Sequence, residues 1–242
     1  ILALGIAFLL RSVPLSELHS GDYKLFKNDD LPIYIFVSIL IALFIGLTIS
    51  SEEILRDRKL RKREAFLNLS KSSYLFSKIG VLFGITAVQM LIYTLLGNAT
   101  LEIRGMNFDY WLMLLTVGCF SVMLGLNISA TFDSAVTIYI LIPFLLIPQI
   151  VLSGTTVSFY KLNPFFSNVK TTPLISDFAA SRWAYEGLAV RQYKDNDFNK
   201  HFFKYDQAQK NAEYKISEFL PQLKERVQFC LENYESPQQA QV

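Results

Sequence analysis

The chain has few of the side chains on which soluble enzymes depend. It contains two cysteines and two histidines in 242 residues, too few cysteines for a disulfide framework, and neither histidine has the neighbours of a zinc site. A glycine-rich phosphate-binding loop and a Gly-x-Ser-x-Gly nucleophile motif are both absent. We therefore expect no catalytic residue, no metal site and no bound cofactor in this segment.

Long apolar runs are abundant instead. Hydrophobic residues make up 52% of the chain. Four runs approach or exceed the roughly 20 residues that a membrane-crossing helix needs, at about 33–50, 74–97, 110–132 and 135–154. A shorter run at 1–10 has the length of half a helix, so we expect the chain to be a fragment that lacks the start of its first span. The predicted fold is all-α, a polytopic helical membrane bundle with a partial first span and four full spans.

A dense basic block lies between the first two full runs. Residues 51–78 carry eight Lys/Arg against four Asp/Glu. Because basic residues in short loops stay on the cytoplasmic side, 52–71 is predicted to be a cytoplasmic amphipathic helix at the inner membrane surface. Membrane spans on both sides of the block argue against nucleic-acid binding.

Counting spans from this block divides the chain into two regions. Residues 1–155 are predicted to form the membrane core, and residues 156–242 an extracytoplasmic loop and helical region. Apolar residues recur there at helical spacing from Ile216 to Tyr234. The final span is then expected beyond residue 242, and the membrane is a plasma membrane or a bacterial inner membrane.

Small residues repeat every four positions in two of the spans. One pair is Gly80 and Gly84, and the other group is Ser121, Gly125 and Ser129. Small residues at this spacing let helix backbones approach closely inside a bilayer. Contact between helices of one subunit is favoured, and a dimer face is the alternative.

Four stretches together resemble one transporter family. Asp57–Glu64 (DRKLRKRE) is similar to a charged inner helix, and Ser72–Lys78 (SSYLFSK) to the entry into the next span. Pro148–Gly154 (PQIVLSG) resembles the end of a fifth span, and Ser181–Leu188 (SRWAYEGL) an Arg-Trp element that follows it. In this order, they resemble the type-2 ABC exporter permease, especially the G subfamily of White and multidrug half-transporters.

The resemblance implies a half-transporter that works in pairs. A second permease copy, as a homodimer or heterodimer, would enclose a central path, and a fused or separate ATP-binding domain would supply ATP and Mg. By resemblance, the inner helix would dock on that ATPase and move the second and fifth spans. The residues that the resemblance assigns to this coupling are Asp57, Arg58, Arg63 and Glu64.

The resemblance also places a transport path. The residues that it assigns to the cavity lining are Phe44, Ile45 and Gln149, and those of the outer gate region are Gly154, Thr155 and Thr156. In multidrug members, bulky leucines follow this glycine and form an apolar outer valve. The two threonines at these positions argue against such a valve here. The substrate implied is a lipid, an amphiphile or a glycan, moved outward.

Two other functions compete with transport. The chain could be a non-transport membrane anchor whose extracytoplasmic helices bind envelope partners or sense a signal. It could also be a membrane-embedded enzyme, which the missing catalytic groups disfavour. An ATP-binding domain upstream or in a neighbouring reading frame would favour transport over the anchor.

Overall fold

The computed structural model describes residues 1–11, 28, 30–64, 70–156, 174–196 and 199–235. These residues form helices and no strand, which confirms the predicted all-α class. Short 3-10 turns lie at Leu174–Phe178 and Asn199–His201, and a π-helical turn at Lys215–Phe219. The α-helices are α1 Leu2–Leu9, α2 Leu31–Ser50, α3 Glu53–Glu64, α4 Lys71–Leu101, α5 Asn107–Thr131, α6 Ala135–Val151, α7 Ala180–Lys194, α8 Phe203–Tyr214 and α9 Leu220–Glu235.

Three of these helices are long and apolar enough to cross a membrane, namely α2, α4 and α5. The fourth predicted full span is the apolar helix α6, which is shorter at 17 residues. At 1.5 Å per residue, it covers about 26 Å of a hydrocarbon core that is about 30 Å thick. The first predicted span is represented by the 8 residues of α1.

The fourth helix extends beyond its predicted bounds at both ends. Ser70 has an extended backbone and its hydroxyl accepts a hydrogen bond from the Ser73 amide, so α4 begins at Lys71 with a side-chain cap. The structure describes the predicted helix over 52–71 as α3 over Glu53–Glu64, and positions 65–69 of that prediction lie outside the described residues. At the other end, α4 continues to Leu101, and Glu102 ends it in the left-handed conformation with φ 58°.

The packed core lies mainly between α2 and α5, with α4 against α5. Ile39, Leu43 and Leu114 are buried at its centre. The backbones of α2 and α5 approach closely because glycines face the opposite helix. A Cβ atom added at Gly46 would lie 2.8 Å from the carbonyl oxygen of Gly118. Close packing of this kind replaces the hydrophobic driving force that helices lack inside a bilayer.

The chain divides into two compact units, Ile1–Gln192 and Tyr193–Val242. Among the described helices, those that are long enough to span all lie in the first unit. In the second, α8 and α9 expose their apolar side chains, among them Leu223 and Val227. The predicted boundary at 155 between membrane core and extracytoplasmic region stays a prediction, as does the side of the membrane on which 156–242 lies.

Candidate functional site

The charged helix α3 lies across the ends of two spans, and its first turn is held by α5. The side chain of Ser129 is fully buried, and its Oγ accepts hydrogen bonds from the amides of Ile54 and Leu55, both at 3.0 Å. The first four amides of any helix have no partner within that helix. Ser129 therefore supplies the acceptor that α3 needs, from a position more than seventy residues away in sequence.

One turn further along α3, Arg58 reaches the carboxyl end of α5. Its guanidinium donates to the carbonyl oxygen of Ala130 at 3.0 Å and more weakly to that of Phe132 at 3.5 Å. It also forms an ion pair with Asp133, in the three-residue connection to α6. A cation at this end of a helix is favoured, because the last carbonyls are unpaired and carry partial negative charge.

A second polar cluster ties α3 to the first turns of α4. The ammonium of Lys78 lies 2.7 Å from Glu53 Oε2 and 2.8 Å from Asp57 Oδ2. The hydroxyl of Tyr74 donates to the same Asp57 oxygen at 2.9 Å. The side chains of Lys78, Glu53 and Asp57 are each less than a quarter exposed, so solvent screens these charges less than it screens a surface pair.

The opposite side of α3 is basic and open. Lys59, Lys62 and Arg63 are exposed, and so is the apolar side chain of Leu60. The predicted coupling residues therefore divide into groups. Asp57 and Arg58 have partners within the bundle, Arg63 is exposed, and the side chain of Glu64 lies outside the described residues.

The two small-residue repeats have different surroundings. Ser121, Gly125 and Ser129 all lie where α5 contacts α2 and the start of α3. Ser121 donates to the carbonyl oxygen of Leu43, and a Cβ atom at Gly125 would clash with α2. Among the described residues, by contrast, nothing lies within 4 Å of a Cβ atom built at Gly80 or Gly84. The favoured contact within one subunit therefore has no support from the described residues for this pair, and it stays a prediction.

The three predicted cavity residues have separate roles in the described structure. Phe44 is 51% exposed on α2, whereas Ile45 is half-buried against the core of the bundle. Gln149 is bonded to the first turn of α7. Its Oε1 accepts from the Ser181 amide at 3.2 Å, and its carbonyl accepts from the Ser181 hydroxyl at 2.6 Å. Gln149 thus caps the start of α7, a role that no pattern in the sequence indicated.

The predicted outer gate region follows α6 directly. Gly154 has φ 77°, a left-handed conformation that suits glycine and turns the chain after the helix. The amide of Thr155 donates to Ser153 Oγ at 3.3 Å, and its buried hydroxyl oxygen has no hydrogen-bond partner among the described residues. Thr156 is exposed. None of these contacts provides a bulky apolar plug.

Within the part of the chain that the structure describes, no group of three or more His, Cys, Asp or Glu side chains converges as a metal site would require. Sequence reasoning also missed two residues of the site. Ser129 was predicted only as a small residue for helix packing, whereas in the structure its hydroxyl caps α3. Lys78 was expected to reach the inner membrane interface and to belong to a family motif, but its pairing with Glu53 and Asp57, four residues apart on α3, was not predicted.

The described residues thus define a polytopic helical membrane protein with a charged helix docked across the ends of two spans. The profile of the ABC-2 type transporter family matches residues 1–190, most of the chain, and the protein belongs to that family. No curated protein and no solved structure matches it. The chain is accordingly an integral membrane protein and a membrane permease component of an ABC transporter. The expected resemblance to a type-2 ABC permease is confirmed, while membership of the G subfamily stays a prediction.

Proposed function

We propose that the chain is the permease half of an ATP-driven exporter, in which α3 receives the motion of an ATP-binding domain. The observation that carries this proposal is the two-sided character of α3. One side is bonded to α4 and α5 through Lys78, Arg58 and Ser129. The other side exposes Lys59, Lys62 and Arg63. Because α3 is bonded to both spans, it can receive a force from a partner domain without separating from them.

The basic exposed side supports a cytoplasmic position and an acidic partner surface. Lys and Arg near membrane spans favour the cytoplasmic side, where ATP is available. Three cations on one side of a short helix complement carboxylates on the partner and raise its rate of association. In this proposal, the ATP-binding domain, fused or separate, holds ATP and Mg, and α3 is its docking helix.

The transport path is the second part of the proposal. A second permease copy faces the first across a central path, as permeases of this family generally pair. Phe44 is a large apolar side chain that is exposed on α2, and it is our candidate for a residue that lines this path. The cargo, moved outward, is a lipid, an amphiphile or a glycan. Family membership favours this reading over an anchor or a membrane enzyme.

Site-specific photocrosslinking tests the docking surface without knowledge of the cargo. Lys62 is replaced by p-benzoylphenylalanine in the native host, the membranes are irradiated, and the adducts are identified by mass spectrometry. We expect adducts with peptides of an ATP-binding domain. The same replacement at Lys210, which is exposed on α8, is the matched control and should give none. Adducts from Lys62 with lipid alone, or with proteins that lack an ATP-binding domain, would contradict the proposal.

A further inference from the structure

We infer that two reciprocal helix caps transmit the movement of α3 to α5, with Ser129 of α5 capping α3 and Arg58 of α3 capping α5. Both side chains are positioning residues, because each fixes one helix against the other. The role in transmission rests on the proposed function, but the caps themselves do not. They make α3 and the adjoining end of α5 a single mechanical unit.

The first cap is needed because the local serines are turned away. A helix is usually capped by the residue just before it. The residue just before α3 is Glu52, which is not a preferred cap, while the nearby Ser51 hydroxyl donates back to the Thr48 carbonyl at 3.2 Å, and the Ser50 hydroxyl to the Gly46 carbonyl at 2.7 Å. Both hydroxyls thus serve α2. The amides of Ile54 and Leu55 instead bond to Ser129 on another helix.

The second cap meets the opposite need at the end of α5. The C-terminal residue Phe132 has an extended backbone, with φ −97° and ψ 146°, so the left-handed turn that often satisfies the last carbonyls is missing. The guanidinium of Arg58 supplies donors instead. Its ion pair with Asp133 also holds the connection that leads directly into α6.

The spacing of the two caps restrains the relative motion of α3 and α5. They lie at residues 54–55 and 58, about one turn apart on α3, and both engage the last turn of α5. A slide or a rotation of α3 along α5 would break both sets of bonds. Whereas α3 is joined to α5 by these side-chain hydrogen bonds, it is joined to α2 by a short backbone turn at 51–52. A push on α3 is therefore passed to α5, and through Asp133 to the start of α6.

The caps are tested first in the purified chain in lipid nanodiscs, by amide hydrogen exchange. Ser129→Ala removes the acceptor and should speed exchange at Ile54 and Leu55 about tenfold, the factor expected when a hydrogen bond at a helix end is lost. Ser129→Thr keeps the hydroxyl and should restore slow exchange. Thr131→Val is the matched control, since it deletes a hydroxyl that bonds only within α5, to the Asn127 carbonyl. Unchanged exchange in Ser129→Ala would overturn the cap.

Transmission is tested in the intact transporter with its ATPase, by a thiol reporter on α5. Asn127 is exposed on that helix. In a chain that also carries Cys119→Ser and Cys230→Ser, the thiol of Asn127→Cys should react with maleimide at a different rate when ATP and vanadate are added. Ser129→Ala should abolish at least half of this change while ATP hydrolysis continues, and Ser129→Thr should restore it. A merely structural role would lower hydrolysis and response together, and that result would overturn transmission.

Arg58→Lys is the second variant, in case Ser129→Ala does not fold. This variant keeps the positive charge but loses the planar guanidinium group that donates to the carbonyls of Ala130 and Phe132. It should therefore reduce the reporter response in the same way. A full response in both folded variants would overturn transmission. If the unmodified transporter itself shows no response to nucleotide, the proposed function and the transmission role both fail, while the exchange result still decides whether the caps exist.

Discussion

The close contact between α2 and α5 can be tested by adding one methyl group at Gly125. A Cβ atom at this position would overlap Ser50 Oγ and would lie 3.0 Å from the carbonyl oxygen of Leu47. The Ser50 side chain has little freedom to move, because its hydroxyl is already bonded to the Gly46 carbonyl at 2.7 Å. Gly125→Ala therefore forces the two helices apart or breaks the hydrogen bond.

The size of the effect follows from this geometry. Atoms in good van der Waals contact lie about 3.5 Å apart, so the methyl group requires a shift of about 1 Å or more. Overpacking of a well-packed interior costs about 1–3 kcal/mol. Gly84→Ala is the matched control on α4, because nothing described lies within 4 Å of its added methyl group. Its expected cost is below about 0.5 kcal/mol, as for other changes away from packed sites.

The assay is equilibrium unfolding of the purified chain in mixed micelles, as the fraction of SDS rises, followed by circular dichroism. We expect Gly125→Ala to unfold at a clearly lower SDS fraction than the unmodified chain, and Gly84→Ala to unfold with the unmodified chain. Equal stability of the two variants would refute the described approach of α2 to α5. A larger loss of stability in Gly84→Ala than in Gly125→Ala would show that Gly84 lies in a packed contact, although nothing described surrounds it.

Two further predictions concern the polar contacts. Lys78→Met leaves two carboxylates without their cation and should cost about 2 kcal/mol of stability in the same unfolding assay. Arg56→Met is the comparison, because it removes an ion pair in which the Arg side chain is 70% exposed, and it should cost less than about 0.5 kcal/mol. Equal costs would contradict the cluster between α3 and α4. Gln149→Leu should speed amide exchange at Ser181 about tenfold, because the amide loses its acceptor, and unchanged exchange would argue against this cap of α7.

The sequence predicted the helices well because hydropathy is a local property. Uninterrupted apolar stretches such as Leu31–Ser50 have one stable form in a bilayer, so the positions of α2, α4, α5 and α6 could be recognised without knowledge of their neighbours. The ends of helices depend on single side chains. Ser70 starts α4 through a local hydrogen bond, and composition did not reveal that start.

The candidate site was only partly predictable because its contacts are long-range. The basic block identified α3, but periodicity did not show that Arg58 turns toward α5 while Lys59 stays exposed. Spacing likewise could not distinguish Gly125, which faces α2, from Gly84, which has open space. These differences depend on which helix lies alongside, and a single sequence does not carry that information.

The position of α3 on the cytoplasmic side of the membrane is the central claim, and thiol labelling in intact cells tests it most directly. Lys62→Cys on α3 and Lys224→Cys on α9 are made separately in a chain that also carries Cys119→Ser and Cys230→Ser, and each is treated with a membrane-impermeant maleimide. We predict that the thiol at 224 reacts in intact cells, whereas the thiol at 62 reacts only after the cells are opened. Labelling of 62 with protection of 224 would contradict the account.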